Sequence, residues 1–184
     1  MLTVITGGMF AEKSTELQRR GRRLERAGKK VGYFKPDFDD RYSVDEIVTH
    51  DGNKVPAINI PQNASLLITS RRYVDNYDVF CIDEVQFFNL NFVTAVETLL
   101  IKGKTVIVAG LDMDYKGHVF IKVASLMAMA EEVVKLHAVC ASCGNDAWVS
   151  YRESDGHRLQ LGTDEYTPLC RKCFYNKTQV TEEI

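Results

Sequence analysis

The chain predicts an α/β fold, a parallel sheet flanked by helices with a small cysteine-held unit near the C-terminal end. Three observations carry this. The runs Leu2–Thr6, Val79–Ile82 within Tyr77–Glu84, and Thr105–Gly110 are almost continuously apolar and alternate with helical stretches, the pattern of strands covered on both faces. A glycine-led loop joins the first run to a basic helix. Four of the five cysteines fall in two C-x-x-C pairs.

At 184 residues the chain suits one domain, or one domain with a small appendage, and can bury a substantial core. Hydrophobic residues make up 45% and charged residues 26%, with a net charge of −2 and a pI near 6.1. That balance predicts neither a nucleic-acid partner nor attraction to an anionic membrane. No apolar run approaches the roughly 20 residues of a membrane span, and the start of the chain lacks the pattern of a secretory signal. The expectation is a cytoplasmic enzyme, and there C-x-x-C pairs read as metal ligands.

Taken in order, Leu2–Thr6 is a buried strand, Gly7–Thr15 a loop, and Ser14 to about Gly28 a helix with apolar positions at Leu17 and Leu24. Gly28 stops it. Its arginines, Arg19, Arg20, Arg22, Arg23 and Arg26, form either an anion or nucleic-acid patch or, the favoured reading, a solvated or subunit-contacting face. Val31–Lys35 is a second strand. Pro36–Lys54 has no periodicity and reads as a mobile, lid-like loop. Ala57–Ile60 is a short strand, and Ser65–Tyr73 a helix capped from Asn63 or Ser65. Tyr77–Glu84 is a strand ending in two carboxylates, with Cys81 as a small core residue. Asn91–Ile101 is an amphipathic helix stopped by Gly103, and Thr105–Gly110 a buried strand. A second loop, Leu111 to about Ile121, leads to a helix over Val123–Ala130 and a strand over Glu132–Val139. Beyond Cys140 the cysteine pairs enclose a hairpin, with strands near Ala147–Arg152 and Arg158–Leu161 around Ser154-Asp155-Gly156, and the tail after Tyr175 reads as disordered.

Three constellations carry chemistry. The loop Gly7-Gly8-Met9-Phe10-Ala11-Glu12-Lys13-Ser14-Thr15 has the order of a phosphate cradle: glycine for the tight turn, N–H groups toward phosphate, Lys13 for the β- and γ-phosphates and Ser14 for Mg²⁺. The strict pattern has glycine where this chain has Glu12, whose side chain would crowd the backbone against the phosphates and add like charge. An ordinary strand-to-helix turn capped by Ser14 or Thr15 is the bland alternative. Asp83 suits a Mg²⁺ ligand on a neighbouring strand, and Glu84, pointing elsewhere, suits a base that accepts a hydroxyl proton. Solvated strand-end carboxylates are the alternative. Cys140, Cys143, Cys170 and Cys173 supply the four thiolates of a closed, structural zinc site, a disulfide pair being the alternative in an oxidising compartment. Arg152, Arg158, Arg171 and Lys172 are balanced by Asp146, Glu153, Asp155, Asp164 and Glu165, so this unit lacks a nucleic-acid footprint. His118 and His137 read as structural.

Gly7-Gly8-Met9-Phe10 with Lys13-Ser14-Thr15-Glu16-Leu17, Thr49-His50-Asp51, Ile82-Asp83-Glu84 with Gln86-Phe87-Phe88, Gly103–Asp112, Val134-Lys135-Leu136 with Ala138-Val139-Cys140 and Cys170–Cys173 occur together and in order. In this the chain resembles the zinc-bearing thymidine kinases. The resemblance implies a RecA-like P-loop core over residues 1–139, a zinc-held lasso over 140–176 and a disordered tail over 177–184. It implies transfer of the ATP γ-phosphate to the 5′-hydroxyl of thymidine, with deoxyuridine as a second acceptor, giving thymidine monophosphate in nucleotide salvage. Glu84 matches the base, Lys13, Ser14 and Asp83 the phosphate and Mg²⁺ ligands, and Arg41 and Asp51 a flexible phosphate-side loop. Met9, Gln86, Phe87, Leu111, Tyr115 and Phe120 match the nucleoside site. In the lasso Ser150 meets the base, Leu159, Gln160, Leu161 and Gly162 offer backbone to the thymine edge, and Tyr166 closes over the nucleoside. Phe87, Phe88, Tyr115 and Phe120 read as core aromatics on residue type alone. The resemblance further implies a homotetramer and feedback by thymidine triphosphate. Glu12 departs from it, leaving as alternatives a catalytically impaired nucleotide-binding protein and, from the zinc unit, a nucleic-acid-acting ATPase.

Overall fold

The computed structural model describes residues 1–37, 46–49, 52–153 and 165–178. β1 (Leu2–Gly7) leads into α1 (Lys13–Arg26) and β2 (Val31–Pro36), and a hairpin of β3 (Glu46–Val48) and β4 (Lys54–Pro56) precedes β5 (Ile58–Ile60). A 3₁₀ stretch (Gln62–Thr69) and the single-turn α2 (Arg71–Val74) lead to β6 (Val79–Ile82), α3 (Asn91–Ile101), β7 (Thr105–Gly110), α4 (Ile121–Met129) and β8 (Glu132–Leu136). β9 (Val149–Tyr151), β10 (Thr167–Leu169) and α5 (Arg171–Thr178) form the cysteine-bearing lobe.

Six strands pair in parallel in the order β5-β2-β6-β7-β1-β8. β7 therefore separates the loop-bearing β1 from the acidic β6, a RecA-like arrangement in which the two strands expected to be neighbours are one strand apart. Period-2 alternation divides each strand between two cores. Leu2, Val4, Phe80, Ile82, Val106 and Val108 face one layer with Phe92, Val96 and Leu99 of α3 and Leu126 of α4. Ile5, Val79, Cys81, Ile107 and Ala109 face the other with Leu17 of α1. Continuous apolar strands follow from this, because neither face meets water. Cys81 is fully buried. Since all six strands run the same way, Gly7, Asp83 and Leu111 emerge at one edge of the sheet, where ligands of open α/β sheets bind.

Several expected elements differ. Part of the segment read as an unstructured lid is the β3–β4 hairpin, in register from Glu46 opposite Pro56 to Val48 opposite Lys54, with Ile47 and Val55 buried. The helix expected over Ser65–Tyr73 is split at Ser70 between the 3₁₀ stretch, which bends at Ala64, and α2, and no side chain caps either. Ser65 Oγ instead donates to Asn89 Oδ1 at 2.7 Å, and Asn89 Nδ2 to the Asn63 carbonyl at 2.7 Å. The strand expected to reach Val139 ends at Leu136. Beyond it Ala147 N–H donates to the Ala138 carbonyl, and Val139 bridges Asp146. β9 pairs antiparallel with β10, and the strand expected over Arg158–Leu161 lies outside the described residues. α5 carries the chain through Thr178, past the expected start of the tail. None of the described helices is long and apolar enough to cross a membrane.

Much of the basic face of α1 is paired. Glu16 bonds Arg19 at 2.6 Å and Arg20 at 2.7 Å, and Arg20 reaches Glu132 of β8 at 2.5 Å. The hydrogen bond from Arg19 holds the Glu16 carboxyl down at about 2. Arg20 thus ties the helix to the edge strand, an intramolecular use of a charge run that sequence alone leaves ambiguous.

Candidate active site

The loop after β1 owes its shape to backbone conformation. Gly7 has φ +143, and Phe10 and Glu12 sit in the left-handed region at φ +64 and +57. Such reversals turn successive N–H groups inward and build the concave nest that holds an anion, with the N-terminus of α1 adding its dipole. Glu12 is the residue flanking α1, and its carbonyl accepts from Glu16 N–H at 3.0 Å, so the helix starts normally. Its side chain is exposed and makes no capping hydrogen bond. The cost of replacing glycine here is therefore backbone strain, about 1 kcal/mol for a non-glycine residue in this region, more than side-chain crowding. Glu12→Gly is expected to raise the melting temperature by a few degrees and to raise kcat/KM for ATP. Thermal melts beside steady-state kinetics check it, and an unmoved or lower value of both would count against the strain argument.

Lys13 Nζ donates to the Gly8 carbonyl at 2.6 Å, holding the ammonium over the loop. Ser14 and Thr15 open α1, and Ala11 is buried against Ala138 and Ala147, with Phe10 packed on the same cluster. Asp83 is buried just beyond β6, where its Oδ1 accepts from Glu84 N–H at 2.9 Å. Glu84 has φ +52, a left-handed turn that aims its side chain away from the strand direction. Gln86 Nε2 donates to Glu84 Oε2 at 2.5 Å, and Gln86 is fully buried.

The cysteine lobe docks on this edge. Ser150 Oγ accepts from Met9 N–H at 2.7 Å, and a Cβ on Gly8 would stand 2.9 Å from the same oxygen, so Gly8 is the residue that lets the lobe approach the loop. Arg152 is buried between two aromatic rings. Its guanidinium lies 4.3 Å from the Tyr115 centroid and 5.3 Å from that of Tyr166, and its Nη1 donates to the Tyr166 hydroxyl at 2.9 Å. Burial, over the opposing pull of Arg152, holds that hydroxyl above the usual tyrosine range. Sequence reasoning counted Arg152 only among the lobe's surface charges, although it stands two residues after Ser150. Of the expected nucleoside walls, Phe120 is in the main core and Leu111 packs against it, while Phe87 and Tyr115 are buried outside that cluster. Phe120 N–H also bonds the Asp112 carbonyl at 2.8 Å. Arg41, Asp51, Leu159, Gln160, Leu161 and Gly162 lie outside the described residues. His137 Nδ1–H donates to the Ala147 carbonyl at 3.0 Å, a structural bond.

The four Sγ atoms of Cys140, Cys143, Cys170 and Cys173 lie within 4.8 Å of one another, and none is in a disulfide. A tetrahedral ion with thiolates at about 2.3 Å separates its sulfurs by about 3.8 Å. Cys143 and Cys170 are 3.6 Å apart, so the set fits a metal such as zinc. Cys173 N–H points at Cys170 Sγ at 3.4 Å, the backbone support that a thiolate ligand needs.

The thymidine kinase family model matches residues 1–174. A thymidine kinase of Bacteroides fragilis is 40% identical over 184 residues, covering 99% of this chain and 90% of the relative. That of Bacteroides thetaiotaomicron is 41% identical over 175 residues, covering 94% and 86%. Among solved structures, AMPPCP-bound DnaA from Aquifex aeolicus superposes with a TM-score of 0.43 at 16% identity, over 73% of this chain and 39% of that one. With that family's model matched over residues 1–174 and thymidine kinases 40–41% identical over most of the chain, this chain belongs to the thymidine kinase family.

Proposed function

We propose that the chain transfers the γ-phosphate of ATP to the 5′-hydroxyl of thymidine, giving thymidine monophosphate. The observation that carries this is the convergence of the Gly7–Thr15 nest, Asp83 and Glu84 at the carboxyl edge of one sheet, with the cysteine lobe bonded to the loop through Ser150. The loop amides and Lys13 bind the donor phosphates. Ser14 and Asp83 offer a hydroxyl and a carboxylate, the hard oxygen ligands that Mg²⁺ takes. Bound there, Mg²⁺ would neutralise charge on the phosphates. The Glu84 carboxylate accepts the 5′-hydroxyl proton while that oxygen bonds the γ-phosphorus, the bond from that phosphorus to the bridging oxygen breaks, and ADP departs.

The acceptor lies among Met9, Phe87, Leu111, Tyr115 and Phe120, with Ser150 and Tyr166 from the lobe closing the other side. Arg41 and Asp51 act on the phosphate side, and Leu159–Gly162 read the thymine edge. Residues 1–139 thus bind the donor, and residues 140–176 carry zinc as a structural ion and cover the acceptor. Deoxyuridine as a second acceptor, feedback by thymidine triphosphate, a homotetramer and a cytoplasmic site complete the reading. The impaired-binder alternative rested on Glu12, and the normal start of α1 at that residue speaks against it.

The test is product formation from ATP, Mg²⁺ and thymidine by the parent and by Glu84→Ala. The parent is expected to turn over and the variant to lose at least about 100-fold in kcat, the scale of a general base. No product from either protein, with thymidine still bound, would sink the kinase reading. Equal rates would sink the assignment of Glu84.

A further inference from the structure

We infer that Gln86 is the positioning residue of the transfer, an amide clamp that sets the Glu84 carboxylate against the acceptor wall. This rests on Glu84 being the base. Gln86 is fully buried, and both ends of its side chain are engaged. Its Nε2 donates to Glu84 Oε2 at 2.5 Å, and its Oε1 accepts from Leu111 N–H at 3.1 Å. One planar group therefore spans from the carboxylate after β6 to the first residue after β7. The clamp is itself fixed. Lys122 Nζ of α4 donates to the Gln86 carbonyl at 2.9 Å. Gly110 supplies the room: a Cβ there would stand 2.9 Å from Gln86 Oε1 and 2.8 Å from Val85 Cγ2.

The chemistry needs such a clamp. Glu84 leaves the strand in a left-handed conformation at φ +52, so backbone geometry alone does not hold its carboxylate against a particular neighbour. A neutral amide donor fixes one carboxylate oxygen while adding no charge, and leaves the group able to accept a proton. An Arg or Lys in the same place would lower the basicity that the step needs. Because the other end of the amide holds Leu111, displacement of the acceptor wall and displacement of the base are one motion. A fully buried Gln86 has no surface to offer the nucleoside, so its place beside the site is better explained by this clamp than by direct ligand contact.

Two variants test it beside Glu84→Gln. Gln86→Leu keeps the volume and removes both hydrogen bonds. It is expected to lower kcat by about 10- to 100-fold, the effect of misplacing a reacting group by around an ångström, with KM for ATP little changed. Gln86→Glu is isosteric and decides the matter where the apolar variant destabilises the protein. It keeps an acceptor oxygen for Leu111 N–H but sets a carboxyl oxygen against Glu84 Oε2 where the amide donated, and is expected to lower kcat at least as far as Gln86→Leu with KM for ATP and thymidine little changed. A folded Gln86→Glu or Gln86→Leu protein with parent kcat overturns the clamp. Loss of thymidine binding in both variants also overturns it, making Gln86 a binding residue. An active Glu84→Gln protein overturns the base assignment first, and is told apart because it needs no change at residue 86.

Discussion

Removal of the metal from Cys140, Cys143, Cys170 and Cys173 is expected to melt β9, β10 and α5 and to abolish phosphorylation of thymidine while leaving the parallel sheet folded. Among the described residues the lobe's own core is four buried side chains, Cys140, Val149, Leu169 and Phe174, and its described strands are three residues each. So small a core does not offset the entropy of ordering the segment. A structural zinc ion contributes on the order of 10–16 kcal/mol in small metal-held folds, more than the lobe can supply otherwise. The sheet has two separate cores of its own and should survive. The activity should not, because Ser150 bonds the phosphate loop and Arg152 holds Tyr115. Circular dichroism and activity, followed through treatment with a strong chelator in mild denaturant and then zinc readdition, check this. Full activity in metal-free protein would contradict it.

Gly7→Ala is expected to cost about 4 kcal/mol or more, a loss in the exceptional range for one substitution. The Cβ would stand 2.1 Å from the Leu136 carbonyl oxygen and 3.0 Å from its carbon, at a backbone φ of +143. Gly7 and Leu136 are partners in the β1–β8 ladder, so relief requires breaking the end of that ladder and with it the start of the phosphate loop. Gly28 provides the contrast. It too has positive φ, at +78, yet nothing lies within 4 Å of its Cβ, so Gly28→Ala should cost only about 1 kcal/mol, the conformational term alone. Urea midpoints of the two variants separate the terms. Equal losses would show that the clash at Gly7 relaxes at little cost.

How far the sequence could be read depended on how local each signal was. α3 and β7 fell where expected because an apolar period and a glycine stop at Gly103, whose φ is +74, are contained in a short window. The strand-to-helix loop over Gly7–Glu12 and the C-x-x-C pairs were legible for the same reason. The β3–β4 hairpin was not, since three-residue strands carry no period, though Ile47 and Val55 around Asp51-Gly52-Asn53 were a turn signal that could have been used. β10 hid behind Pro168, which argues against a strand unless it lies at an edge, as it does in this two-stranded pair. At the site, residue types were legible and their partners were not. Ser150 meets Met9 across 141 positions, and Gln86 meets Leu111 across 25. That Glu84 and Glu12 are left-handed could not be seen either, because neither residue type favours that conformation.

Trp148 is the chain's single tryptophan. Its ring lies under the Arg171 guanidinium at 3.9 Å, edge-on to Phe174 at 5.4 Å, and so close to Gly117 that a Cβ there would come within 2.8 Å of it. The protein therefore contains a native optical probe at the seam between lobe and sheet. Its emission responds to the seating of the lobe on the Gly117 loop, while the sheet contributes no indole signal. Lobe docking can thus be followed in unlabelled wild-type protein, in real time and during turnover, by the colour of one residue's fluorescence.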